Sequence, residues 1–256
     1  MRLNLIEMGE GPPVALLHGL FGAAQNFGRV QRALAASGHR VLALDMRNHG
    51  ASPHAAGMDY PTMAADVAET LEAAGALPAA VLGHSMGGKA AMALALTRPE
   101  AVARLIVADV SPVRYPPRLR GYVAAMRAVP LRSDLTRREA DAALASAVPD
   151  AVVRGFLLQN LRFETDPPHW RLGLAEIAAA MPEIEGFDGM PEGAHYDGPV
   201  LVLAGEHSDY VLPEYHARFR ALFPAVEFAT VPKAGHWLHS ENPAGFLALV
   251  ERFLAA

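Results

Sequence analysis

The chain has 256 residues, with 22 basic and 27 acidic side chains and a formal charge of −5. Apolar types make up 52% and charged types 19%. That excludes a disordered chain, which needs low hydrophobicity and high net charge, and a basic nucleic-acid binder, because a net negative surface supplies no phosphate footprint. There is no cysteine, so disulfides, thiolate nucleophiles, zinc-thiolate sites and iron–sulfur clusters are excluded too. The first seven residues are already broken by charge, unlike the apolar segment of a secretory signal. No stretch reaches the 18 or so apolar, charge-free residues of a membrane span. These features predict a soluble, cytoplasmic protein.

Taken in order, residues 14–17 read as a strand that runs into His18-Gly19. Residues 24–36 read as a helix and 41–45 as a strand. Residues 62–74 carry Met63, Val67, Thr70, Leu71 and Ala74 in a helical stripe, with Pro61-Thr62 as a start signal and Gly75 as a stop. Residues 80–82 and 105–109 read as strands on either side of a helix over 86–97. Beyond residue 197 come a strand at 200–204, a helix at 213–222, a strand at 226–231 and a helix at 242–254. Several of these strands are apolar on both faces, as buried parallel strands are. The alternation predicts an α/β fold, a mostly parallel twisted sheet with helices on both faces.

From Ser111 to Asp197 the strand rhythm stops. Four amphipathic pieces occupy 119–128, 137–146, 151–158 and 171–181. The expectation is a core formed by residues 1–110 and 198–256, with 111–197 inserted as a helical cap. Phe156, Leu157 and Trp170 are candidates for an apolar pocket in it.

The chemistry concentrates at Gly83-His84-Ser85-Met86-Gly87-Gly88, between a predicted strand and a predicted helix. A serine hydroxyl is a weak nucleophile and needs exposure on a sharp strand-to-helix turn. Glycines two before and two after leave room for that turn. The helix start places the Met86 N–H and a positive dipole end beside a developing oxyanion. The same residues nearly form a phosphate loop, Gly83-x-x-x-x-Gly88-Lys89. Ala90 stands where the magnesium-binding hydroxyl would be, which argues against it. A second oxyanion donor is expected from His18-Gly19-Leu20-Phe21-Gly22, with the Leu20 N–H first and that of Phe21 second.

Of the 11 histidines, His236 in Gly235-His236-Trp237 follows the last strand and fits the chain order serine, acid, histidine. His239 and His84 read as neighbours that shape the site. No histidine spacing suits a metal. Two acids fit the third role, Asp109 and Asp209, each just past a strand end on the site face of the sheet.

Together these motifs resemble the α/β-hydrolase superfamily: His18-Gly19, Asp45-Met-Arg47-Asn48-His49-Gly50-Ala-Ser52, Gly83-His-Ser-Met-Gly87 and Gly235-His236, in the family order and over nearly the whole chain. The longer strings look most similar to the bacterial YbfF-type esterases and their mitochondrial counterpart. That resemblance implies cofactor-free hydrolysis of short- to medium-chain acyl esters, with acyl-CoA thioesters as a further substrate class. It also implies a triad of Ser85, His236 and Asp109. Ser208 stands where most of the superfamily carries the acid, and the resemblance makes it an auxiliary contact to the histidine. Carbon–carbon bond hydrolysis, perhydrolysis and a non-catalytic binding role on the same fold stay open at this point.

Overall fold

A computed structural model describes residues 1–256. Nine strands run β1 Leu5–Met8, β2 Pro13–Leu17, β3 Arg40–Leu44, β4 Ala79–His84, β5 Val102–Ala108, β6 Leu161–Arg162, β7 His169–Trp170, β8 Val200–Gly205 and β9 Val226–Val231. Seven form one sheet in the order β1-β3-β2-β4-β5-β8-β9, and β6 pairs with β7 alone. Every pair in the large sheet is parallel except β1 with β3. Three strands were not expected from sequence patterning, β1 and the pair β6 and β7. β1 is short and mostly exposed at the sheet edge, so it lacks the apolar run of the others. The β6–β7 hairpin is only two residues per strand.

Side chains alternate across a strand, and here the alternation divides the interior. Val14, Leu16, Val41, Ala43, Leu82 and Ile106 belong to one apolar cluster. Ala15, Leu17, Leu42, Leu44, Val81 and Leu105 belong to another. The helices are α1 Gly28–Ala36, α2 Tyr60–Ala73, α3 Met86–Thr97, α4 Arg120–Ala128, α5 Arg137–Leu144, α6 Ala151–Leu158, α7 Leu174–Ala179, α8 Met181–Glu185, α9 His216–Leu222, α10 Leu238–Glu241 and α11 Pro243–Ala255. α1 and α11 cover the first cluster, while α2, α3 and the segment after β5 cover the second. α3 is buried from Met86 to Leu96. Its glycines and alanines let it lie close to β4 and β5.

Local chemistry sets the boundaries. The Asp59 carboxylate accepts the Thr62 N–H at 2.8 Å and caps α2. Asn242 caps α11 by accepting the Gly245 N–H at 3.0 Å. The single helix expected over 24–36 is a 3₁₀ turn, Ala24–Phe27, followed by α1. The Asp45 carboxylate accepts the Ala24 N–H at 2.7 Å and fixes that turn. The helix expected over 171–181 starts only at Leu174 and gives way to α8. There Pro182 sits in the first turn and cannot continue a preceding helix.

Residues 111–197 are fastened to the sheet side by polar contacts as well as apolar ones. Tyr60 Oη donates to Ile184 O at 2.6 Å, and the Gly173 N–H donates to Asn48 O at 2.9 Å. Lys89, on α3, is buried. Its Nζ donates to the carbonyls of Val113 at 2.8 Å, Glu185 at 3.1 Å and Gly186 at 2.6 Å. The rings of Tyr115 and Tyr60 lie 4.7 and 5.6 Å from it. Burial pushes the ammonium down to about 7, while the carbonyls and rings favour the charged form. No helix is long and apolar enough to cross a membrane.

Lys89→Met fills the same space but leaves the Val113 and Gly186 carbonyls unpaired, while Glu185 O keeps the Tyr115 N–H at 2.9 Å. Each such loss costs about 1–3 kcal/mol, offset in part because a buried cation is removed. We expect a net destabilisation of roughly 2–4 kcal/mol by urea unfolding; a variant as stable as the parent contradicts the clamp.

Candidate active site

β4 ends at His84 and α3 begins at Met86, so Ser85 makes the whole turn by itself. Its backbone is left-handed, φ 53° and ψ −121°, a conformation that costs a non-glycine residue about 1–3 kcal/mol. Neighbouring backbone holds it there. The Ser85 N–H donates to Ala108 O at 3.0 Å, and Ser85 O accepts the Gly88 N–H at 2.8 Å. A Cβ on Gly83 would collide with Gly87 O, and one on Gly87 with Leu17 O and His18 O. The two glycines therefore let β4, α3 and the end of β2 touch, which brings the serine beside the His18–Gly22 turn.

His236 follows β9. Its Nε2 lies 3.2 Å from Ser85 Oγ and its Nδ1 2.7 Å from Asp109 Oδ2. Asp109 follows β5 directly, is left-handed at φ 54° and is 0% exposed. Its Oδ1 accepts the Gly205 N–H at 2.9 Å, and its Oδ2 also accepts the hydroxyl of Ser208. These donors fix the buried carboxylate in direction. Asp209 is not part of this group. It is 56% exposed and pairs with Arg118 at 2.7 Å. Ser208 departs from its expected contact with the histidine. It donates to Asp109 and accepts the Tyr210 N–H at 3.3 Å, because the β8 loop wraps the carboxylate rather than the ring.

The imidazole is held from several sides. Tyr210 stacks on it with ring centres 4.1 Å apart. His84 Nε2–H donates to His236 O at 2.8 Å. Glu241 accepts the N–H groups of Gly235 at 2.6 Å and Trp237 at 3.2 Å, bracketing the histidine in the chain. Gly205 has no room for a Cβ against Gly235 O, so the β8 end and the histidine loop touch. Tyr210 and Glu241 escaped the sequence reading. Glu241 acts on its own preceding loop, and nothing in residue spacing marks Tyr210.

The turn after β2 is held by neutral histidines. His18 donates from Nδ1 to Gly19 O at 2.8 Å and accepts the Met46 N–H at Nε2 at 2.9 Å. His49 donates from Nδ1 to Arg47 O at 2.8 Å and accepts the Phe21 N–H at Nε2 at 3.1 Å. Only a neutral ring can donate at one nitrogen and accept at the other. Burial agrees. It lowers His18, takes His49 down to about 3 and His239 to about 4, and lowers His84 well below 6.5. Phe21 is left-handed at φ 64°, and Asn160 Nδ2, from beyond α6, donates to its carbonyl at 2.8 Å. The Phe21 N–H is thus committed, whereas the Leu20 N–H has no acceptor in the protein. The Met86 N–H, first in α3, has no intrahelical acceptor. Both belong to the walls around Ser85.

Ser85 opens onto a cavity of about 240 Å³ whose walls include Tyr122, Val153, Phe156, Leu157 and Trp237. Trp170, the third expected pocket residue, does not line it. It packs against the sheet-side core with its indole N–H unpartnered.

A family model described as alpha/beta hydrolase fold matches residues 12–243. The sn-1-specific diacylglycerol lipase ABHD11 of Mus musculus is 43% identical, over 100% of this chain and 85% of its own length. Esterase YbfF of Escherichia coli strain K12 is 35% identical over 99% of each chain. The solved structure of a marine microorganism esterase superposes with a TM-score of 0.92 at 32% identity, covering 98% of this chain and 99% of its own.

The buried histidines make stability pH-dependent. Their folded-state pKa values lie below the unfolded value near 6.5, so the unfolded chain takes up protons first as the pH falls. Their contribution is complete above 6.5 and is lost below it, at up to about 1.4 kcal/mol per pH unit for each ring. The urea midpoint should fall between pH 7 and pH 5, and His49→Gln, whose amide oxygen can accept the same N–H, should shallow that fall. A level midpoint over this interval contradicts the neutral-histidine account.

Proposed function

Because the chain belongs to the alpha/beta hydrolase fold family, we propose that it is a serine hydrolase that cleaves short- to medium-chain acyl esters through an acyl-enzyme on Ser85. The observation that carries this reading is the unbroken series Ser85 Oγ, His236, Asp109, ending beside two backbone N–H groups. The names of the relatives, an esterase and a lipase, point to the same reaction class. Residues 111–197 act as a cap that walls the substrate cavity.

In the first half-reaction His236 Nε2 takes the Ser85 hydroxyl proton as Oγ bonds to the acyl carbon. The carbonyl oxygen becomes an oxyanion and accepts the Leu20 and Met86 N–H groups, fixed donors aimed at charge that exists only in the transition state. Asp109 holds the Nδ1–H tautomer and stabilises the imidazolium. The imidazolium then protonates the leaving oxygen, the bond from that oxygen to the acyl carbon breaks, and the alcohol departs. Water repeats the sequence. His236 takes its proton, its oxygen attacks the ester carbon, and the proton returns to Ser85 Oγ as the acid leaves. A thioester would pass through the same acyl-enzyme with a thiol as leaving group, so coenzyme A esters belong in the substrate screen.

Ser85→Ala should keep the fold and lose hydrolysis of p-nitrophenyl butyrate by orders of magnitude, as triad deletions do, together with labelling by a fluorophosphonate. A pure variant that still turns the ester over at the parent rate sinks the mechanism.

The acid is tested by two amides. Asparagine at the true acid favours the wrong imidazole tautomer, a change that costs about 10⁴ in a serine protease. We expect kcat/KM to fall at least about 10² for Asp109→Asn and less than about tenfold for Asp209→Asn, a tenfold change being about 1.4 kcal/mol of barrier. Ser208→Ala should fall between them, since it removes one hydrogen bond from Asp109 Oδ2. The reverse order would move the acid to Asp209.

A further inference from the structure

Two cavities, not one, meet at Ser85. The second holds about 60 Å³ and lies on the α8 side, walled by Tyr60, Met86, Val110, Met181 and Ile184, with Lys89 and Tyr115 also in its lining. Ser85, Leu20, Leu119 and Tyr210 line both cavities. His236 lines only the larger, and Met86 only the smaller.

Given the reaction proposed above, on which this inference rests, that asymmetry assigns the two spaces. Once Oγ has attacked, the former carbonyl carbon carries an oxyanion, an acyl chain and a leaving group. The oxyanion is held by the Leu20 and Met86 N–H groups. The leaving atom must lie within hydrogen-bond reach of His236 Nε2 to be protonated, so the leaving group extends into the larger cavity. One direction remains for the acyl chain, and it runs past Met86 toward α8. The geometry points to the 60 Å³ cavity as the acyl pocket, which selects a short, uncharged acyl group joined to a larger apolar alcohol.

Size sets the length. At roughly 10–15 Å³ for each water-sized group, the pocket takes about four to six heavy atoms, against about sixteen or more for the larger space. The polar lining sets the charge. Lys89 gives its N–H groups to three carbonyls. Tyr60 donates to Ile184 O and Tyr115 to Tyr210 O. Glu185 pairs with Arg120, and Arg118 with Asp209. The hydrogens of Lys89, Tyr60 and Tyr115 are thus committed, and the Leu20 and Met86 N–H groups are taken by the oxyanion. Arg118, with N–H groups to spare, is 55% exposed. A second carboxylate held beside the buried Lys89 and Tyr60 would therefore be desolvated with nothing there to receive it.

Two ester series read the assignment. One keeps the p-nitrophenyl leaving group and lengthens the acyl chain from acetyl to dodecanoyl, with a hemisuccinate as the charged member. The other keeps a butyryl group and lengthens the alcohol from methyl to octyl. In the first series kcat/KM should fall at least about tenfold between six and ten carbons, with the hemisuccinate below the butyrate. The second should hold level or rise. Met181→Ala should move the acyl limit outward by two or three carbons and leave the order of the alcohol series alone, while Phe156→Ala should alter the alcohol series only. Ile184→Val opens the same wall by one methyl group and serves if Met181→Ala does not fold. Circular dichroism and fluorophosphonate labelling of Ser85 establish that each variant is intact. Equal rates for butyryl and dodecanoyl esters, or an acyl limit that moves with Phe156→Ala, overturn the pocket assignment and leave the hydrolase reading standing. Absence of turnover on every ester overturns both.

Discussion

The end of β4 and the start of α3 are closer than any side chain would allow. Gly83 faces Gly87 O, and Gly87 faces the carbonyls of Leu17 and His18. With that approach made, Ser85 alone must reverse the chain, and its left-handed backbone follows. The same contact seats the first N–H of α3 next to the turn after β2, so an N–H without a protein acceptor comes from each of two elements distant in sequence. A strand away, Asp109 is also left-handed, which turns its carboxylate away from the strand path toward the histidine loop. Gly205 repeats the device at β8, where it lets the histidine loop come against the strand end. The site is thus a set of close backbone approaches at the carboxyl ends of neighbouring strands.

Those loops carry many buried donors and acceptors, and water cannot reach most of them. Neutral histidine suits this setting because a single ring both gives and takes a hydrogen bond. His18 closes the Gly19 carbonyl against the Met46 N–H, and His49 closes the Arg47 carbonyl against the Phe21 N–H. Fixing the Phe21 N–H in this way leaves the Leu20 N–H to face the cavity. Asn160 holds the other side of the Phe21 peptide, so the segment above the sheet and the His18–Gly22 turn are mechanically joined. Lys89 makes a second junction from α3 to the carbonyls around α8.

Much of this was legible in the residues, and the failures have physical causes. The strands buried on both faces announced themselves as apolar runs, and Gly83-x-Ser85-x-Gly87 between a strand and a helix carried its own explanation. β1 did not, because an exposed edge strand has no buried face to impose a pattern. Residues 171–181 have helical periodicity throughout, yet Pro182 and the hairpin before Leu174 divide them. The choice between Asp109 and Asp209 had no local answer, since both follow strand ends on one face. What separates their environments is three-dimensional. The β8 end supplies Gly205 and Ser208 to one carboxylate, while Arg118 draws the other into solvent. Lys89 read as part of a failed phosphate loop, and only the folded chain reveals the three carbonyls it serves.

The account stands on a covalent ester between the substrate acyl group and Ser85 Oγ. Acid quenching during steady turnover of p-nitrophenyl butyrate, followed by digestion and mass measurement, reads that bond directly. The account predicts a butyryl adduct on the peptide that contains Ser85, absent from Ser85→Ala. An adduct on a different residue, or none while the ester is being hydrolysed at full rate, would contradict it.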